Sequence, residues 1–278
     1  MRIIEQFICG KENNPDTCED GLFISKELVA VIDGVTAKSR YLWNGMKSGY
    51  YGKNLILSFL ETQPKADSPE DFFSSLNRLL KEAIKDNPDD IEMRDYPRAS
   101  IILYNNRCRE IWSYGDCQCR INDKVYSHEK KTDRLNAELR AFCLEYCLRQ
   151  GRTLEELLCN DPGRKEIENN LVRQQAFENK SGRFGYPVLN GMGIEPSMIR
   201  RYPVQPGDQI VLASDGYPVL ERTWEKSEEA LRDILERDPL CFRIYRSTKG
   251  IKPGNISFDD RTYCRILVAK ENVGDELP

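Results

Sequence analysis

Two short apolar runs, each ending in the same Asp-Gly step, are the strongest constraint on the fold of this chain. The run at 27–32 holds five consecutive apolar residues before Asp33-Gly34, and the run at 209–213 leads through Ser214 into Asp215-Gly216. Apolar residues at successive positions, rather than at alternate ones, are typical of a strand covered on both faces. We therefore expect a layered fold in which both Asp-Gly steps lie at strand ends.

Turn and capping residues divide the rest of the chain into strand blocks and helix blocks. Ser68 followed by Pro69 is typical of a helix start, and Asn87-Pro88 is typical of a helix end. Turn-forming pairs such as Gly115-Asp116 separate four short apolar runs, which predicts an antiparallel meander. The predicted strands span residues 21–25, 27–32, 99–104, 110–114, 117–121, 124–126, 209–213 and 262–269, and the clearest helices span 42–60, 68–84 and 225–237.

A charged helical insert is predicted at about 133–179, followed by an ordered loop at 181–196. One face of the insert carries apolar residues at helical spacing, which predicts packing against the core. Its members are Leu135, Leu139, Phe142 and Tyr146.

Strand blocks flanked by helix blocks, without strict alternation, indicate an α+β layered fold. We expect a single domain over residues 1–270, because candidate ligands come from both ends of the chain. A polar tail is predicted at 271–278.

Charge and hydropathy argue against two classes of partner. A formal net charge of -4 gives no basic field for nucleic acid. The chain has no apolar run of about eighteen residues, so no membrane partner is expected. The first residues lack the apolar length of a signal peptide, which predicts a cytoplasmic protein with reduced thiols.

The ten cysteines include two close pairs, Cys117 with Cys119 and Cys143 with Cys147. The first pair lies in a predicted strand and the second at helical spacing. Both patterns favour buried packing, since free cysteine is among the most buried residue types. A zinc site is the less favoured alternative.

Acidic residues at separated strand edges are the candidate functional groups. Glu19-Asp20 precedes the first Asp-Gly step, and Asp259-Asp260 opens the last predicted strand. With a single histidine in the chain, these carboxylates favour Mg²⁺ or Mn²⁺, which prefer oxygen ligands, over zinc. Each Asp-Gly step taken alone is equally explained as a turn.

Five of these elements, in this order, resemble the motifs of the metal-dependent protein phosphatases of the 2C type. The most specific is Pro-Gly-Asp-Gln-Ile-Val-Leu-Ala-Ser-Asp-Gly at 206–216. The others are Cys-Glu-Asp-Gly at 18–21, Val-Ile-Asp-Gly at 31–34, Tyr-Gly-Asp-Cys at 114–117 and Asp-Asp-Arg-Thr at 259–262. The correspondence runs over nearly the whole chain.

The resemblance implies a four-layer αββα sandwich, with two antiparallel sheets between helices, and a centre of two Mn²⁺ or Mg²⁺ ions at one end. Asp33 would bridge both ions, and Asp33 and Asp215 would be the catalytic residues. The implied metal ligands are Asp33, Gly34, Asp215 and Asp259. Glu19 and Asp20 would act mostly through bound water, and Asp116 would belong to an optional third ion.

The implied activity is that of a monomeric serine/threonine protein phosphatase acting on phosphoserine or phosphothreonine in proteins. Two cations that share a water molecule lower its pKa from ~15.7 towards neutrality and so create a nucleophile. Two alternatives stay open. One is a catalytically weak or inactive pseudophosphatase that serves as a binding module, and the other is a phosphatase of a small phosphorylated metabolite.

The sequence departs from the family pattern at two functional positions. Val35-Thr36-Ala37 follows the first Asp-Gly step, where the animal enzymes have a histidine, and the single histidine, His128, is predicted at the surface. Pro15 occupies the position of the arginine that grips the substrate phosphate. Lys11 is the nearest candidate for that phosphate-binding role, as a point charge.

Overall fold

The computed structural model describes residues 1–87 and 90–269 and contains two antiparallel sheets of five strands each. The strands are β1 (Arg2–Cys9), β2 (Asp20–Ile24), β3 (Leu28–Val35), β4 (Arg98–Asn105), β5 (Glu110–Tyr114), β6 (Gln118–Ile121), β7 (Lys124–Tyr126), β8 (Arg200–Pro203), β9 (Gln209–Ala213) and β10 (Arg261–Leu267). The first sheet has the order β1-β10-β9-β6-β7, and the second β2-β3-β4-β5-β8. The polar tail predicted at 271–278 lies outside the described residues.

The helices either pack on the outer faces of the sheets or form the insert. They are α1 (Ser48–Glu61), α2 (Pro69–Lys85), α3 (Lys131–Arg149), α4 (Leu154–Cys159), α5 (Pro162–Arg173) and α6 (Trp224–Arg237). On the first sheet, Trp224 of α6 lies against Phe7 of β1, with ring centroids 4.6 Å apart. None of the described helices combines the length and apolarity needed to cross a bilayer.

Strand β3 shows why the chain forms four layers. Val29 and Val31 belong to the core between the two sheets. Ala30 and Ile32 point the other way and belong to the core beneath α1 and α2. The continuous apolar run is therefore buried on both faces, and the predicted αββα sandwich is confirmed.

Two edge strands have no counterpart among the predicted elements. Strand β1 alternates between exposed and half-buried residues and leaves Ile4 and Ile8 exposed, so its apolar pattern resembles a surface segment. Strand β8 is a short polar stretch that pairs with β5 and ends at Pro203, which a sheet edge tolerates. Both strands form through pairing with distant segments rather than through a local signal.

The predicted meander at residues 99–126 is wrong, because its strands are divided between the two sheets. Strand β5 pairs with β4 and β8, whereas β6 pairs with β7 and β9. Gly115-Asp116 therefore carries the chain from one sheet to the other. Gly115 has a φ of +129°, and a Cβ there would lie 2.3 Å from the Cβ of Ser100. Only glycine fits this crossing, and its sequence is indistinguishable from a hairpin turn.

The predicted core-facing stripe of the insert is also wrong. Leu135, Leu139, Phe142 and Tyr146 are all exposed, with Phe142 reaching 71%. Helix α3 instead buries a face that includes Ala137, Ala141 and Leu144. The buried guanidinium of Arg140 explains this orientation. It donates hydrogen bonds to the carbonyls of Leu240, Cys241 and Ser247 and pairs with Asp161 at 2.7 Å.

The start of one helix and the burial of one cysteine pair differ from their predictions. Helix α1 begins at Ser48, six residues later than predicted, because Trp43 and Met46 form an isolated bridge. Cys117 and Cys119 are buried in the core between the sheets, as predicted. Cys143 and Cys147 of α3 are only half-buried, beside the exposed stripe. Among the described residues, no cysteine belongs to a metal-type group of side chains.

Candidate metal centre

Strand pairing brings the predicted acidic residues to one end of the sandwich. Asp20 and Asp33 are directly opposite each other in the β2–β3 pair, and Asp33 is opposite Ser100 in the β3–β4 pair. The hydroxyl of Ser100 in turn donates to the carboxylate of Asp116 after the crossing at Gly115. Asp215 follows the end of β9, beside β10.

Three of these carboxylates form a group of metal-ligand geometry. Asp33, Asp116 and Asp215 each place one carboxylate oxygen so that all three oxygens lie within 4.8 Å of one another. The structure thus brings together two predicted ligands, Asp33 and Asp215, with the residue predicted for an optional third ion. An oxygen-only donor set of this kind suits Mg²⁺ or Mn²⁺.

Among the described residues, Asp33 and Asp215 have no cation within ion-pair distance, and their electrostatics reflect this. Burial, followed by the negative charges of Asp20 and Asp116, raises the pKa of Asp33 well above its usual range. Burial, followed by Asp33 and Asp116, does the same for the pKa of Asp215. Crowded carboxylates in such a place require either protons or a cation.

Asp116 and Asp259 have a different environment, because each contacts a lysine. Lys130 Nζ lies 2.6 Å from Asp116 Oδ2, and Lys249 Nζ contacts Asp259 Oδ2. Burial opposes ionisation of both acids, but the lysine charges outweigh burial and lower the pKa values of Asp116 and Asp259. Asp259, a predicted ligand, therefore lies outside the group of three and is paired instead.

Glu19 and Gly34 lie where strand β3 meets helix α1. Glu19 Oε2 accepts from the Thr36 hydroxyl, whereas Glu19 Oε1 is buried and has no hydrogen-bond partner. The Gly34 amide donates to the Glu19 carbonyl at 3.0 Å. A Cβ on Gly34 would lie 2.3 Å from the carbonyl oxygen of Gly49, so only glycine allows this approach. The unpartnered Oε1 leaves a donor atom available to a cation.

Asp20 lies beneath the group rather than open to the cavity. Its Oδ2 accepts a hydrogen bond from the Thr262 hydroxyl at 2.9 Å, and its side chain is buried. Burial, with the charges of Asp260 and Asp259 adding to it, raises the pKa of Asp20 to about 8. Asp20 thus ties β2 to β10 and adds negative charge under Asp33.

Sequence reasoning missed Asp260, which organises this end of the sandwich. Its carboxylate accepts from the Lys11 amide at 2.7 Å, from Lys11 Nζ at 3.0 Å and from the Glu19 amide at 3.0 Å. These bonds hold the segments after β1 and before β2 against the start of β10. The paired acids at 259 and 260 are the available signal, but the resemblance assigns a role only to Asp259.

Lys11 is surrounded by carboxylates, whereas its predicted role of binding phosphate requires an ammonium group open to an anion. Besides Asp260, its ammonium lies 3.6 Å from Glu19 and 3.7 Å from Asp259. Burial disfavours the charge, but these three carboxylates together raise the pKa of Lys11. The described residues that line the neighbouring cavity do not include Lys11. It neutralises acids at the edge of the centre.

A cavity of about 520 Å³ opens beside the three aspartates. Its walls come from the segment after β3, the insert helices α3 and α5, and the loop at 244–249. His128, predicted at the surface, is half-buried at the rim, where its Nε2 contacts the Tyr202 hydroxyl. Burial and the charge of Arg200 lower the pKa of His128 to about 4.

Comparison with known proteins agrees with this architecture. No protein-family model and no curated protein matches the chain. Among solved structures, the fold is similar to that of a serine/threonine protein phosphatase.

A similar structure is the catalytic domain of the serine/threonine protein phosphatase PstP in complex with two manganese ions, with a TM-score of 0.50 and 14% identity over 95% of this chain and 96% of that one. Stp1 from Staphylococcus aureus has a TM-score of 0.49 and 12% identity over 94% of this chain and 92% of that one. MsPP from Mycobacterium smegmatis, in complex with cacodylate, has a TM-score of 0.48 and 14% identity over 97% of this chain and 100% of that one. At these identities the likeness to PstP establishes the fold.

Proposed function

We propose that this protein is a Mn²⁺- or Mg²⁺-dependent serine/threonine protein phosphatase. One observation carries the proposal: aspartates from three distant segments, Asp33, Asp116 and Asp215, converge within 4.8 Å in this fold. The similar structure of PstP, a serine/threonine protein phosphatase, contains two manganese ions. The substrate class that follows is phosphoserine and phosphothreonine in proteins.

The residues present fit divalent ions. Asp33, Asp116 and Asp215 supply the converging carboxylates, and the unpartnered Glu19 Oε1 adds a further donor. Asp33 and Asp215 are the proposed catalytic residues, with Gly34 beside them as a further proposed ligand. When bound, such ions lower the pKa of a water molecule and neutralise the phosphoryl oxygens. Asp259 joins this set only if Lys249 gives way.

The chain itself contributes orientation and charge control. Thr36 and Lys11 hold the Oε2 side of Glu19, and Ser100 and Lys130 hold Asp116. Val35-Thr36-Ala37 supplies no imidazole beside Asp33, so the proposed centre contains no protein general acid of that type. A thiol nucleophile is also disfavoured, because Cys117 is fully buried and burial raises its pKa.

We further propose that the enzyme acts as a monomer in the cytoplasm, on phosphoproteins and without nucleic-acid or membrane partners. The free state of all ten cysteines supports a reducing compartment. The net charge of -4 argues against a nucleic-acid partner.

The test is metal-dependent hydrolysis of an aryl phosphate and of phosphoserine and phosphothreonine peptides. Wild-type protein is expected to hydrolyse both kinds of substrate with Mn²⁺ and to lose activity with a chelator. An inactive binding module would hydrolyse neither, and a metabolite phosphatase would spare the peptides. Either of those results would overturn the proposal.

A further inference from the structure

The cations that line the cavity fall into two sets. In the first set each cation pairs with a carboxylate: Lys130 with Asp116, Lys249 with Asp259, Arg98 with Glu178, and Arg246 with Glu138. Lys38, Arg164 and the exposed Arg134 form the second set, of which Lys38 and Arg164 are the two half-buried members. Within residues 1–87 and 90–269, none of these three has a carboxylate oxygen within ion-pair distance.

Lys38 and Arg164 bond to main-chain carbonyls instead. Lys38 Nζ donates to the Thr36 carbonyl at 3.0 Å, and Arg164 Nη1 donates to the Thr248 carbonyl at 2.8 Å. A carbonyl orients a cation without cancelling its charge. The cavity therefore presents two oriented positive charges that no carboxylate of the described residues pairs with directly.

Both side chains are held by the surrounding structure. The Ala37 amide next to Lys38 donates to the Ser48 hydroxyl at 2.8 Å, which fixes the segment after β3 against α1. Arg164 lies in the first turn of α5, where its own amide donates to the Asp161 carboxylate at 2.8 Å. The two charges are thus fixed relative to the aspartates rather than free in solvent.

The two cations also act on each other. Burial, followed by the positive charges of Arg164 and Lys249, lowers the pKa of Lys38 to about 7, against the weaker opposing charges of Asp133 and Glu19. Burial and the nearby Arg140 lower the pKa of Arg164 as well, against the opposing charges of Asp161, Asp133 and Glu168. Confined like charges are unfavourable unless an anion joins them.

We propose that Lys38 and Arg164 together bind the phosphoryl group of the substrate beside the three aspartates. This inference rests on the proposed phosphatase function and names its specificity-determining cations. Pro15, at the position to which the resemblance assigns a phosphate-gripping arginine, is exposed and has no charge to offer. Arg164 comes from the insert, so the insert supplies part of the phosphate site.

The experiment compares Lys38→Gln and Arg164→Gln with Arg134→Gln, a matched control. Arg134 also lines the cavity and has no carboxylate within ion-pair distance among the described residues, but it is exposed. Removing a cation that bonds an anion is expected to raise KM for the aryl phosphate on the order of tenfold. The peptide KM and the inhibition constant of inorganic phosphate should rise in parallel. Lys38→Arg and Arg164→Lys keep the charge and should recover most of the affinity.

A second measurement does not depend on turnover. Calorimetric titration of inorganic phosphate into the Mg²⁺-loaded protein should show weaker binding for Lys38→Gln and Arg164→Gln than for Arg134→Gln. If neither variant changes phosphate binding or the aryl phosphate KM, the inference fails, even where the peptide KM alone changes. Absence of hydrolysis by the wild type would instead contradict the phosphatase function, and the titration would still test the phosphate site.

Discussion

Four aspartates at one end of the sandwich form two pairs with opposite electrostatics. Among the described residues, Asp33 and Asp215 have no lysine or arginine within ion-pair distance, and burial raises their pKa values. Asp116 and Asp259 each contact a lysine, which outweighs burial and lowers their pKa values. The first pair depends on something outside the chain for its charge balance, and the second pair does not.

The difference shows which acids a bound metal ion would stabilise and for which acids it would compete with a lysine. At Asp33 and Asp215 a divalent ion relieves repulsion that the fold leaves in place. At Asp259 the same ion competes with Lys249, and at Asp116 with Lys130. Four experiments test this distinction.

The largest expected effect is the loss of catalysis in Asp33→Asn and Asp215→Asn. Each variant removes a carboxylate from the group of three, and turnover with Mn²⁺ is expected to fall at least ~10³-fold, comparable to the loss of a key charge-stabilising group. Without metal, each variant should be more stable than the wild type, by about 2 kcal/mol, because a buried, repelled charge is gone.

Steady-state kinetics and urea unfolding with a chelator measure the two effects. Asp123→Asn is the matched control, since that carboxylate is 80% exposed and Asp123 does not line the cavity. Retained activity in Asp33→Asn and Asp215→Asn would falsify the metal assignment. A metal-free protein that these substitutions destabilise would contradict the electrostatic argument.

Removing the lysine partner of a paired acid should destabilise the metal-free protein, the opposite of the effect expected for Asp33→Asn and Asp215→Asn. Lys130→Met leaves Asp116 buried without its cation, and both side chains are only 10% exposed. The metal-free protein should lose about 3 kcal/mol, the cost typical of breaking a buried ion pair by removing one partner. Mn²⁺ should restore part of this loss.

Urea unfolding with and without Mn²⁺ checks the effect of Lys130→Met. Lys131→Met is the control, because Lys131 is the exposed neighbour in the chain. Equal stability of the two variants would mean that Lys130 does not balance Asp116.

The positions of Asp33 and Asp215 could be predicted from the sequence, because the signal for them lies in the residues next to them. Asp33 and Asp215 follow runs that are apolar at successive positions, which fixes them at the ends of central strands. Strand ends in stacked sheets meet, so these two acids were correctly expected to converge. The same runs predict a layered α+β fold, whereas the four-layer order was expected from the family resemblance.

The partners of the other acids had no such signal. Lys130 precedes α3 and Lys249 lies in an irregular loop, and neither position is marked by periodicity or a motif. Their contacts form only when the insert and the loop at 244–249 fold over the sheet ends. The same holds for Asp260, whose three bonds join segments about 240 to 250 residues apart. Long-range side-chain contacts of this kind decide which aspartates pair with a lysine. The sequence therefore did not predict that Asp116, rather than Asp259, lies in one group with Asp33 and Asp215.

Metal binding itself should give an intermediate effect. Mn²⁺ at roughly a hundred times its dissociation constant is expected to stabilise the wild type by about 2.7 kcal/mol. Lys249→Met should bind Mn²⁺ about three- to tenfold more tightly, because Asp259 is then free to join the centre. Thermal unfolding across a Mn²⁺ series gives both values. Weaker Mn²⁺ binding in Lys249→Met would show that the lysine supports the site rather than competing with it.

The smallest expected effect concerns His128 at the rim of the cavity and its contribution to the loss of stability in acid. Burial and Arg200 lower the pKa of His128 to about 4 from its ordinary 6.5, so between these values the unfolded chain binds a proton that the folded protein does not. The wild type should therefore lose stability as the pH falls through that window. His128→Gln should lose about 1 kcal/mol less between pH 7 and pH 4, after allowance for the partial exposure of the ring. Urea unfolding with a chelator at both pH values measures the difference. Since the aspartates titrate in both proteins, an identical pH dependence would assign the whole acid response to the carboxylates and none to the rim.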